Sequence, residues 1–191
     1  MSAKTRRFVP RLECFDERAL PSVSYDLQGS VLFVHGDAAA NQITISDDGS
    51  ATGVRVASTD GTSWSNPTLA AVTSVFVDAQ GGDDAVVYNL TGGLLSVNRL
   101  VDVDLGNGND SYMANIGGTT LAPYVNLDLS GHGHGGKDSM ILNAQGVSGK
   151  EGTVLNVGFS GDAGKDVIAF NYSAGLDGTI GTVLFTKDQK N

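Results

Sequence analysis

The chain has 191 residues, a net charge of −9, 40% hydrophobic and 17% charged residues, and 26 glycines against 4 prolines. That length holds one domain with a continuous core, and the composition excludes disorder while suiting many short strands joined by tight turns. The acidic balance argues against nucleic acid as a partner, no apolar run approaches the ~18 residues of a membrane span, and a single cysteine, Cys14, excludes an internal disulfide.

Residues 1–22, MSAKTRRFVPRLECFDERALPS, form a leader. Its basic start lacks the apolar segment of an ordinary secretory signal. The spacing of Leu12, Phe15 and Ala19 predicts a short amphipathic helix from Pro10 to Leu20 that covers the first structural unit. The stretch from Arg11 to Ser22 also resembles a leader carried by many large bacterial surface and exported proteins, R-L-x-L-E-x-L-E-x-R-x-L-P-S, with Phe15-Asp16 in place of Leu-Glu. That resemblance implies export or cell-surface association. Arg11-Leu12-Glu13 ahead of Cys14 puts charge where a lipid-anchor motif needs small residues.

Residues 23–74 read as an N-terminal β cap. Val31/Phe33 and Ile43/Ile45 flank a turn in which Asn41 stands where later units have aspartate, which makes a degenerate first repeat. The period then breaks over Val54/Val56, an STDGTS turn and the only tryptophan, Trp64. Atypical end units are expected, because an open solenoid end exposes backbone donors and acceptors.

Residues 75–191 repeat. The turns Gly82-Asp83-Asp84, Gly108-Asn109-Asp110, Gly136-Lys137-Asp138 and Gly164-Lys165-Asp166 place aspartates 26, 28 and 28 residues apart. Two residues after each aspartate comes Val86, Tyr112, Met140 or Ile168, and five after each comes Asn89, Asn115, Asn143 or Asn171. Before each turn runs a period-two strand: Val75/Val77, Val101/Val103/Leu105, Val125/Leu127/Leu129 and Leu155/Val157/Phe159. Val183/Phe185 begins a further unit. Two strands and a link of ten or twelve residues are too short for a propeller blade and fit one coil of a parallel β-helix. The predicted fold is all-β, a short right-handed parallel β-helix of about four coils, with an antiparallel β-sandwich of repeated hairpins as the alternative. Stacking coils about 4.8 Å apart would turn the asparagines into a ladder.

The glycine and aspartate turns resemble the RTX, or hemolysin-type, calcium-binding nonapeptide G-G-x-G-x-D-x-U-x, with U a large apolar residue. Gly108-Asn109-Asp110-Ser111-Tyr112 matches its second half, and the other copies match at glycine, aspartate and the apolar position. The resemblance implies calcium between stacked turns, held by Asp83, Asp84, Asn109 and Asp110 in the first gap and by Asp138 and Asp166 in the later ones. Asp78 and Asp104, outward on adjacent coils, would also favour a cation. Three features stand against the transfer. Each coil has one such turn rather than two. Counted from Asp78, Asp104, Asp128 and Gly158, the turns run 6, 6, 10 and 8 residues to the closing aspartate. Lys137 and Lys165 adjoin the last two aspartates. The competing reading is that the aspartates cap turns by accepting backbone N–H groups. His132 and His134, with Asp138 nearby, are a weaker zinc or copper constellation in a glycine-rich loop.

Parallel β-helices with asparagine ladders resemble polysaccharide lyases and hydrolases. An enzyme of that kind would need Asp102 and Asp104 beside Arg99 in one exposed groove, and no nucleophile elbow, phosphate loop or H-E-x-x-H motif is present. A passive sugar-binding module would need Trp64, Phe76 or Tyr124 in an exposed row. The expected function is therefore non-enzymatic. It is that of an extracellular or cell-surface structural or adhesive repeat protein, with calcium as cofactor and envelope or matrix components as partners.

Overall fold

The computed structural model describes residues 23–59, 63–65, 70–173 and the backbone of 180–190, all in strands and turns. The predicted leader helix lies outside the described residues.

The strands are β1 (Ser24–Gln28), β2 (Val31–His35), β3 (Gln42–Asp47), β4 (Val54–Ser58), β5 (Ser63–Ser65), β6 (Ser74–Asp78), β7 (Ala85–Leu90), β8 (Leu94–Leu95) and β9 (Arg99–Asp104). They continue as β10 (Ser111–Asn115), β11 (Thr120–Leu121), β12 (Asn126–His132), β13 (Gly135–Gly136), β14 (Ser139–Ala144), β15 (Ser148–Gly149), β16 (Thr153–Gly164), β17 (Val167–Tyr172) and β18 (Ile180–Lys190).

These strands make a parallel β-solenoid of about four coils. One sheet runs β1-β2-β6-β9-β12-β16, with β13 and β18 also paired to β16; a second runs β5-β4-β3-β7-β10-β14-β17; the third is β8-β11-β15. Each full coil gives one strand to each sheet, and the two-residue strands of the third sheet occupy the link between repeats. All pairings among coils are parallel, and the antiparallel ones are β1 on β2, β4 on β3 and β5 on β4. Asn41 precedes a strand in register with β7, so its turn heads the same stack. The alternating apolar residues fill one core from Leu32 to Ile168.

The asparagines form the expected ladder. Asn115 Nδ2 donates to Asn89 Oδ1 at 2.8 Å, Asn143 to Asn115 at 2.7 Å and Asn171 to Asn143 at 2.9 Å. The turn glycines have a steric reason: a Cβ on Gly108, Gly136 or Gly164 would overlap the carbonyl oxygen of Gly82, Gly108 or Gly136 one coil earlier. Only glycine allows the turns to lie so closely on one another.

Two features differ from the sequence expectation, one a strand parity and one the length of the turns. In β2 the inward pair is Leu32/Val34, both 0% exposed, rather than Val31/Phe33. An unbroken VLFV run carries no parity signal, and a one-residue slip exchanges the faces. The turns are also equal in length. Asp78, Asp104, His132 and Ser160 lie in one register row, each six residues before its closing aspartate. The strand alternation continues past Leu129 into buried Gly131, which pairs with Val103; a Cβ there would come 2.8 Å from Tyr112 Cδ1. The Tyr112 ring fills the volume that the glycine leaves, so an apolar count along the strand ends too early.

Candidate functional site

The turn aspartates form a single file joined by hydrogen bonds. The backbone N–H of Asn41 donates to Asp84 Oδ1 at 2.6 Å, that of Asp84 to Asp110 Oδ1 at 2.7 Å, that of Asp110 to Asp138 Oδ1 at 2.9 Å, and that of Asp138 to Asp166 Oδ1 at 3.0 Å. Each carboxylate thus caps the turn one coil before its own. Asp84, Asp110 and Asp138 are each 2% exposed, and the Oδ2 atom of each is buried with no hydrogen-bond partner. Gly133 makes room for one of them, since a Cβ there would stand 2.5 Å from Asp138 Oδ2. Burial pushes Asp84 and Asp138 up to about 6, against the opposing pull of the N–H bond and with the help of neighbouring carboxylates. Asp110 is raised for the same first reason.

The outer half of the turn is separate. Asp83 is exposed, and its Oδ1 accepts from the backbone N–H of Asn109 at 2.8 Å and from Asn109 Nδ2 at 3.2 Å. Lys137, in the corresponding place one coil on, is exposed while its neighbour Asp138 is buried.

Calcium asks for six to eight oxygens around one point. In the first gap Asp83 and Asn109 lie outside and Asp84 and Asp110 inside. Asn109 presents its amide nitrogen to Asp83, and one oxygen of every inner aspartate is committed to a backbone N–H. The turn carbonyls are engaged as well: Gln80 O accepts from Asn107 N–H, Asn107 O from Gly82 N–H and Gly135 O from Gly108 N–H, each at 3.0 Å. The Gly82 carbonyl points at the Cα of Gly108. No three or more His, Cys, Asp or Glu side chains meet as a metal would require among the described residues. In this arrangement the turn residues bond coil to coil directly, and the oxygens left over are the buried Oδ2 atoms of Asp84, Asp110 and Asp138.

The outward face of the first sheet carries a second group. Two register rows cross the coils: Phe33, Phe76, Asp102 and Ser130, and beside them His35, Asp78, Asp104 and His132. His35 Nδ1 lies 4.0 Å from Asp78, His132 Nε2 3.9 Å from Asp102, and His134 Nε2 3.0 Å from Asp104. All three histidines of the chain thus stand beside aspartates on this face. His132 and His134 do not share a site with Asp138, which is turned into the core.

Arg99 is absent from that face. It is buried, with Nε 2.6 Å from Asp47 Oδ2 and Nη2 3.1 Å from Asp47 Oδ1, and Nη2 also donates to Ser50 O at 2.9 Å. Tyr88 Oη donates to Asp47 Oδ2 at 2.9 Å. The groove of Asp102, Asp104 and Arg99 expected of a sugar-cleaving enzyme is not assembled. This buried cluster was missed in the sequence, although a signal existed. Arg99 is in register with Leu127, which pairs with Leu155, and Asp47 is in register with Leu90. A charge at a position that other coils fill with leucine marks an internal pair.

Comparison with known proteins finds no matching family model, no matching curated protein and no matching solved structure.

Proposed function

We propose that this chain is a non-enzymatic structural or adhesive solenoid of the cell surface or extracellular space, in which aspartates tie coil to coil where the repeats it resembles use calcium. The single observation behind this reading is the relay of backbone N–H groups onto Asp84, Asp110, Asp138 and Asp166. A relay of that kind, added to the asparagine ladder, makes a rigid rod without an ion. The surface location rests on the leader resemblance of Arg11–Ser22.

Calcium titration into chelator-treated protein tests the first part. A site filled at one hundred times its Kd would add about 2.7 kcal/mol and raise Tm by roughly 5–10 °C at this size. The expected shift is below about 1 °C, and a saturable rise of several degrees would restore calcium as the fastener. For the second part, a reporter fused after Ser22 is expected outside the cytoplasm of a bacterial host. Retention inside would remove the export reading.

A further inference from the structure

The outward rows of the first sheet enclose a cleft of about 270 Å3, lined by Phe33, His35, Phe76, Asp78, Asp102, Asp104 and His132 with the Val77 backbone strand between them. We propose that this cleft binds an organic ammonium ion, a primary amine carried on a short apolar body.

The apolar part of the recognition comes from Phe33 and Phe76. Their rings stack at 5.7 Å between centroids and 19° between planes, and the His35 ring continues the stack at 6.3 Å from Phe33. Outward aromatic rings on adjacent strands offer apolar surface to the C–H groups of a ligand. The slip that buries Leu32/Val34 is what puts Phe33 outside to meet Phe76.

The polar part comes from three carboxylates. Asp102 is held by Ser130 Oγ at 2.5 Å, and Asp104 accepts from the Gly106 N–H at 3.1 Å and faces His134. Asp78 lies 4.0 Å from His35 Nδ1 and is 54% exposed. Among the described residues no lysine or arginine lines the cleft. Asp78 and Asp104 stand opposite each other in register on neighbouring parallel strands, about 4.8 Å apart, so two like charges share one edge of the cleft. A single ammonium between them removes that repulsion and places its carbon body over the phenylalanines.

The same geometry selects against other ligands. Among the described residues no three metal-ligating side chains converge, so a bare ion gains few ligands at once. An anion meets three carboxylates. A neutral sugar stacks on the rings and leaves the charges uncompensated. Polyamines and amino sugars share the required chemistry. The proposal goes beyond the structural role and does not depend on it, because the cleft can fail while the rod stands.

The test is titration of 15N-labelled protein, followed by amide shifts at fixed ionic strength, with spermidine, a glucosamine trimer and the N-acetylated trimer. Spermidine, the glucosamine trimer or both are expected to give saturable shifts confined to β2, β6 and β9; which one binds identifies the source of the amine. Acetylation is expected to weaken trimer binding at least about tenfold. Asp78→Asn with Asp104→Asn should abolish the shifts and Phe76→Ala should weaken them, each with Tm held. Asp128→Asn, an acidic position on the same sheet outside the cleft, should leave them unchanged. Three results would overturn the proposal: equal binding of the acetylated trimer, equal displacement by calcium chloride at matched ionic strength, or no saturable shift with any amine in the millimolar range. Retained binding in the Asp78/Asp104 variant would overturn it as well.

Discussion

Arg99→Ala is expected to lower the unfolding free energy by about 3–5 kcal/mol, among the largest losses available from a single side chain in this molecule. Asp47 and Arg99 are both 0% exposed at the side chain. Removing the guanidinium leaves the Asp47 carboxylate inside the core with only Tyr88 Oη and the Gly49 N–H to hold it. The wild-type arrangement is itself imperfect, because Arg99 Nη1 is buried with no hydrogen-bond partner. That imperfection makes the reverse experiment informative. Other coils place leucine at both positions, so Asp47→Leu with Arg99→Leu and Tyr88→Phe removes every charged or hydroxyl group of the cluster together. The triple variant should recover most of the loss, since a buried pair replaced by apolar side chains of similar volume is often neutral. Urea denaturation of the three proteins gives the comparison. A single-variant cost below about 1 kcal/mol would mean that water reaches the pair.

The solenoid was legible because its period is written in residues whose chemistry depends on stacking. Glycine is required where the preceding coil's backbone passes, asparagine where amides bond in file, and aspartate where an oxygen must meet the N–H of the preceding turn. Alternation was legible only where apolar and polar residues differ. It failed at Val31–Val34, where every residue is apolar, and at Gly131, where the core volume belongs to Tyr112 from another strand. The aspartates were read as surface ligands because sequence gives the residue type at a turn and not the side to which its carboxylate swings. Asp83 and Asp84 are chain neighbours, and one is exposed while the other is buried. Arg99 was read as a surface cation for a related reason: arginine is seldom buried, and its partner Asp47 lies 52 residues away. The outer cleft depended on the parity of β2, so it was hidden by the same unbroken apolar run.

The aspartate file sets the second large effect, a dependence of stability on pH opposite to the usual carboxylate behaviour. Asp84 and Asp138 titrate near 6 in the folded chain and near the ordinary 3.9 when unfolded. Between those values the folded state holds more protons, so stability is full below about pH 4, falls as pH rises through about 6, and stays low above. Asp138→Asn keeps an oxygen in place for the Asp110 N–H and cannot ionise. Asn41, at the head of the same file, already accepts a backbone N–H through its Oδ1, from Asp37 at 2.9 Å, with its Nδ2 donating to Asp37 Oδ1 at 3.2 Å. The variant should therefore be more stable than the parent at pH 7.5, by on the order of 1–3 kcal/mol, and the difference should vanish toward pH 4. Asp138→Ala should instead lose about 1–3 kcal/mol at pH 4, where charge is no longer at issue and only the orphaned N–H remains. Comparing variant with parent at each pH cancels the titration of the surface carboxylates and histidines. Should Asp138→Asn destabilise the chain at pH 7.5 with calcium present and not after chelation, the carboxylate is held ionised by that cation, and the turn regains the role that its sequence resemblance implies.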